Sequence, residues 1–144
     1  MTRFEAAVRE LEGYNDLREA VKNLRDRIKT LEEQCGQMIA VRYDKISVMG
    51  GDGSSYEEAL ADNIDHRCRL ERRLKNTREA VERIERGLAG LDDRERLVLQ
   101  RFYITREDGY LDRLMDETGY AQAQIYRLKD KALSRYVRIM WGIE

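Results

Sequence analysis

The stretch LREAVKNLRDRIKTLEEQCGQM, residues 17–38, carries apolar side chains at Leu17, Val21, Leu24, Ile28, Leu31, Cys35 and Met38. The steps alternate between four and three, which is the seam of a heptad-repeat helix, and Glu, Arg, Lys and Asp fill the flanks as a solvated helix requires. The spacing predicts one helical segment from about Phe4 to about Tyr43, with Leu11 and Tyr14 slightly out of phase. The composition agrees: 38% of residues are charged, there is no proline, and only 8% are aromatic. Such a mixture suits long solvated helices better than a sheet-rich core, and the regular apolar spacing excludes a disordered chain.

C-terminal to the seam, Gly50 to Ser55 read as a connector, because glycine loses the most entropy on ordering. The connector lacks the Gly-Lys-Ser/Thr ending of a phosphate-binding loop and the carboxylate spacing of a calcium loop. Ser55 with Glu58 reads as a capping box opening a second helix, from about Tyr56 to about Gly87. Its stripe is Leu60, Ile64, Leu70, Leu74, Val81, Ile84 and Leu88, with a phase slip near Arg67. Two amphipathic helices joined by a Gly-rich loop at about 44–55 fold back as an antiparallel hairpin. The seam exceeds what one hairpin buries, so residues 1–87 are expected to make a homo-oligomer.

Gly87 and Gly90 mark a boundary, and residues 88–144 read as a second domain. Asp92 or Asp93 caps a helix from Asp93 to about Ile104, with Leu97, Val98, Phe102 and Ile104 inward. Thr105 to Gly109 form a turn, and a short helix runs from about Tyr110 to Thr118. The last helix runs from about Ala121 to about Met140. The expected fold is therefore all-α: a long, coiled-coil-like antiparallel hairpin followed by a small helix-turn-helix domain.

Leu111 to Leu128 has helix-turn-helix spacing. Leu114 faces inward, Gly119 takes the turn where a left-handed backbone is needed, and Ile125 and Leu128 bury the second helix. Gln122, Ala123, Tyr126 and Arg127 then lie outward as base-reading candidates. Gln can bond adenine, Arg can fork onto guanine, and Ala or Tyr can touch a thymine methyl. Gln124, Lys131 and Arg138 are candidates for phosphate contacts. The whole chain has a formal charge of only −1, yet Ala121 to Gly142 hold five basic residues against one acid, Asp130. Positive charge is concentrated where phosphates would lie.

LDDRERLVLQRFYI followed by GYAQAQIYRLKDKAL resembles the fourth conserved region of housekeeping-type sigma factors. The whole chain is similar to the ArpU and RinA-like phage transcription regulators, closely over residues 91–136 and loosely over the hairpin. Met115 and Thr118 depart from the small and aliphatic residues usual at their positions, and TREDGYLDRLMDET is longer than the family's acidic helix. The resemblance implies a four-helix DNA-binding unit that matches double-stranded DNA through Gln122, Ala123, Tyr126 and Arg127. It also implies bacterial RNA polymerase as a partner, in the cytoplasm of a bacterial host. The aromatic cluster that captures melted promoter bases is missing, so the expected role is an activator or partial sigma-like partner, of phage or prophage type.

Other chemistry finds no support in the residues. His66 is the single histidine and sits among Arg and Asp on a helix, and no nucleophile–base arrangement is readable. No enzyme, cofactor or metal site is expected. Cys35 and Cys68 are far apart and read as reduced thiols. No apolar run is long enough to span a membrane. Met140, Trp141 and Ile143 form an apolar tip expected to pack on Phe102 or Tyr103. Two other functions fit the same pattern: a small DNA-packaging, terminase-like subunit, which usually places its DNA-binding part first, and a helical scaffold without nucleic acid.

Overall fold

The computed structural model describes residues 1–45 and 53–143. Among these the chain is all-α: α1 Arg3–Glu12, α2 Tyr14–Lys45, α3 Gly53–Ala89, α4 Asp93–Leu99, a π-helical turn Gln100–Ile104, α5 Tyr110–Thr118 and α6 Gln122–Trp141. They form two compact units. One combines residues 1–18 with 79–144, and the other is 19–78.

This division corrects the boundary expected at 87/88. α1 is a helix of its own, opened by a capping box. The Glu5 amide donates to Thr2 Oγ1 (3.1 Å), and the Thr2 amide donates to Glu5 Oε2 (3.0 Å). Its Ala7 and Leu11 are fully buried in one cluster with Ile84, Val98, Ile125 and Tyr136. The Tyr136 hydroxyl reaches Glu10 (3.4 Å), and Arg83 pairs with the same carboxylate (3.4 Å). Gly13 separates α1 from α2. Just beyond it, the Tyr14 hydroxyl donates to Glu85 (2.6 Å), and Asn15 donates to the Ile104 carbonyl and Thr105 Oγ1 (both 3.1 Å). The core of the C-terminal segment is thus completed by both ends of the hairpin sequence.

Gly87 is a notch and not a breaker. α3 continues through it to Ala89, and a Cβ there would meet Met140 Sδ at 2.5 Å and Tyr136 Cε2 at 2.8 Å. Its missing side chain lets α3 and α6 approach closely. Arg96 then closes the end of α3, donating to the carbonyls of Leu88 (3.5 Å), Ala89 (3.4 Å) and Leu91 (2.9 Å). The helix expected over 93–104 starts at Asp93 but changes pitch at Gln100. The Thr105 amide returns to the Gln100 carbonyl, five residues back (2.8 Å). Trp141 packs against the cluster that includes Phe102, and Arg83 of α3 lies over its ring at 5.3 Å.

The second unit is the antiparallel pair. Leu24, Ile28 and Leu70 are buried, with Leu31 and Leu74 packed beside them. Asn63 donates to the Leu31 carbonyl (3.0 Å), and Arg42 lies over the Tyr56 ring (5.1 Å). Asn63 is buried and Ile64 is 42% exposed, which corrects the expected stripe by one residue at the phase slip. Arg67 donates to Asn63 Oδ1 (2.9 Å) and contacts Cys35 Sγ (3.6 Å), which satisfies the buried amide. Most of the loop expected at about 44–55 lies outside the described residues. Its edges are helical: 44–45 end α2 and 53–55 begin α3. Ser55 is therefore inside α3 and is no N-cap, because extending a long helix by one turn is far cheaper than starting one.

Candidate nucleic-acid interface

α5, the glycine turn and α6 form the helix-turn-helix element, with bounds close to those expected. Thr118 closes α5 by donating to the Leu114 carbonyl (2.6 Å) and then accepts the Tyr120 amide (3.2 Å). A hydroxyl here does by hydrogen bonding what an aliphatic would do by packing. Gly119 has φ +74°, and a Cβ would meet nothing within 4 Å. The glycine is required by the left-handed backbone alone, not by close helix approach. Leu114 and Ile125 are fully buried across the turn.

Ala121 caps α6 without a side-chain bond of its own. Gln124 reaches back and accepts the Ala121 amide through its carbonyl oxygen (3.4 Å). That bond does not use its NH2 group, the donor that a phosphate contact requires. Gln122, Ala123, Gln124, Tyr126, Arg127, Lys131 and Arg138 are all exposed. Tyr126 is only 39% exposed, because its ring meets Phe102 edge-on at 5.8 Å. Part of the ring is thus packed against the core cluster while the rest stays exposed.

Helix geometry sorts these residues into two adjacent sets. At about 100° per residue, Arg138, Lys131 and Gln124 follow Arg127 within about 60° on one side. Ala123, Tyr126 and Gln122 lie about 40°, 100° and 140° to the other side. Arg127 stands where the two sets meet.

The local charge is settled by pairing. Lys129 binds Asp130 (2.7 Å), the bond that chiefly raises the lysine above its ordinary value. Lys129 also lies near the rings of Phe102 (5.8 Å) and Tyr126 (5.9 Å). Arg135 pairs with Glu95, which is fully buried. Arg127, Lys131 and Arg138 have no ion-pair partner among the described residues. The acid on α6 is thus neutralised by its neighbour, and the three cations left over are those on one stripe.

Glu95 and Arg135 escaped sequence reasoning. Asp92-x-x-Glu95 is legible as a capping box, and both bonds form: the Glu95 amide to Asp92 Oδ1 (2.8 Å) and the Asp92 amide to Glu95 Oε1 (3.2 Å). The first bond is the chief reason that Asp92 sits below its ordinary value, helped by the charges of Arg135 and Lys131. The burial of Glu95 and its partner forty residues away leave no sequence signal. The pair fastens the start of α4 to the middle of α6. Arg135 also donates to the Gly90 carbonyl (3.3 Å), while Glu95 Oε2 has no hydrogen-bond partner among the described residues. Arg101 to Glu117 (2.9 Å) ties the π turn to α5, and Arg94 bonds the Tyr120 hydroxyl while lying over its ring at 5.2 Å. α6 is therefore held by its buried face and by polar clamps at the turn and its midpoint.

Among the described residues no three His, Cys, Asp or Glu side chains are placed to hold a metal ion, and no helix is long and apolar enough to cross a membrane. No protein-family model, curated protein or solved structure matches the chain.

Proposed function

We propose that this protein is a sequence-specific DNA-binding transcription regulator, of the phage or prophage type, that lays α6 in the major groove. The observation that carries the reading is the charge arrangement on α6. Internal pairing removes Lys129, Asp130 and Arg135, and leaves Arg127, Lys131 and Arg138 in one exposed line beside Gln122, Ala123 and Tyr126. An ordinary solvated helix would mix signs along its outer face. Here the cations flank polar groups able to read base edges, on a helix whose angle is set by a turn and two clamps. In this reading Arg127 forks onto guanine, Gln122 meets adenine, and Lys131 and Arg138 meet phosphates. RNA polymerase of a bacterial host is the partner proposed at the promoter, in the cytoplasm, and no catalytic step is assigned to the chain.

Selection of bound sequences from a random DNA pool, with and without RNA polymerase, tests this. An enriched motif of a few base pairs supports the regulator. Binding without enrichment favours a packaging role, and absence of binding at low salt favours a scaffold.

A further inference from the structure

The hairpin unit, residues 19–78, has a thin core. Among its described residues, Leu24, Ile28 and Leu70 are the large apolar side chains that are buried. That is little apolar burial to set against the conformational entropy of ordering two long helices. Two helices of this length therefore need a further apolar partner. Toward the α2 C-terminal end, one side is an open groove of about 910 Å³. Leu31, Met38 and Val41 line it from α2, and Tyr56, Ala59 and His66 from α3. Ile39, Val41 and Ile64 are also between 42% and 50% exposed. The lining repeats at helical spacing over about 15 Å, the footprint of a helix lying alongside.

Charge specifies what that helix is. Residues 19–31 and 67–78 contain ten basic and three acidic side chains, whereas 32–44 and 55–66 contain one basic and seven acidic. The sign changes on both helices at the same level, between Lys29 and Glu32 on α2 and between Asp65 and Arg67 on α3. The single cation of the acidic half, Arg42, is already taken up by the Tyr56 ring. One end of the hairpin is therefore basic and the groove-bearing end acidic.

We propose that the hairpin pairs with the hairpin of a second copy, antiparallel, about a two-fold axis crossing near Leu31 and His66. Each basic half then lies on the partner's acidic, grooved half, and both contacts form at once because the interface is isologous. A parallel arrangement would set like charge on like charge along its whole length and is disfavoured.

Charge reversal in the full chain, read by sedimentation equilibrium, tests both the occupant and its direction. The parent is expected to be a dimer at tens of micromolar that weakens with salt. Glu57→Lys/Glu58→Lys/Asp65→Lys and Arg69→Glu/Arg72→Glu/Arg73→Glu are each expected to weaken it about tenfold or more. The chain carrying all six changes, and an equimolar mixture of the two triple variants, are expected to dimerise again. Recovery by the six-fold variant is the result a parallel dimer cannot give, and it also shows that the triples had not merely unfolded. A monomeric parent, triples that still dimerise, or failure of the six-fold variant to recover would overturn the proposal. A monomeric parent whose arginine triple only weakens DNA binding would make the basic half a phosphate surface instead.

Discussion

Removing the N-terminal helix should unfold the segment that carries α6, although the two are separated by more than half the chain. Leu11 is fully buried among Ile84, Val98, Ile125 and Tyr136. Leu11→Ala removes buried methyl groups and leaves a cavity in a core that α3, α4 and α6 share, so a loss of about 2–5 kcal/mol follows. A unit of this size holds roughly 4–13 kcal/mol in total, at about 0.05–0.15 kcal/mol per residue. A fragment of residues 88–144 loses Ala7, Leu11 and Ile84 together, each 2% exposed or less, along with the Tyr136–Glu10 bond. At about 3 kcal/mol for each of the two large side chains, Leu11 and Ile84, the loss is about 6 kcal/mol, comparable with the stability of the whole unit. The assay is urea denaturation followed by circular dichroism, on parent, Leu11→Ala and the fragment. Leu11→Ala should lower the midpoint without changing the slope, and the fragment should show no cooperative transition. A fragment melting with the parent's midpoint would refute the reasoning, since α1 would then be ornament on a self-sufficient domain.

Gly119→Ala should cost about 1–2 kcal/mol, the left-handed penalty alone, since its Cβ meets nothing; Gly119→Asn should cost less and Gly119→Val more, and thermal melts that ranked all three alike would remove the conformational argument. Arg127→Ala should lose about 1–3 kcal/mol on a selected DNA site and relax preference at one base pair, whereas Lys131→Ala should weaken all sequences alike and reduce the salt slope by about 0.9. Identical behaviour of these two variants in fluorescence titrations would mean that the roles are wrongly assigned. Asp92 is lowered in the folded protein chiefly by the Glu95 amide, so its stabilising contribution is present above the ordinary carboxylate value of about 3.9 and fades as pH falls below it; Asp92→Asn, still a cap, should flatten the loss of stability on acidification below that value. Tyr14 is pushed up to about 12 by burial and then by Glu85, so stability should fall as pH rises above about 10; Tyr14→Phe should reduce that fall in alkaline melts, the rest coming from Tyr136 and Tyr103, which burial also raises.

The sequence by itself determined the helices and most of their ends. Period is a local property: Leu24, Ile28 and Leu31 announce a helix whatever surrounds them, and Asp92 caps Asp93 through a bond three residues long. Gly119 was legible for the same reason, since its φ is a property of one residue. The exposed set on α6 followed from placing Ile125 inward. What only the tertiary structure decided were matters of who packs on whom. Gly87 resembles a breaker locally, yet Tyr136 and Met140 turn its missing side chain into a point of contact. α1 looks like the start of the seam, but its Ala7 and Leu11 are buried with residues more than seventy positions away. Glu95 reads as a surface cap, and its burial depends on Arg135. Tyr126 reads as outward, yet its ring packs against Phe102. Helical period reports which side of a helix is apolar. It carries no information on which other helix covers that side, because apolar burial is non-directional and the chain can meet it from any distance along the sequence.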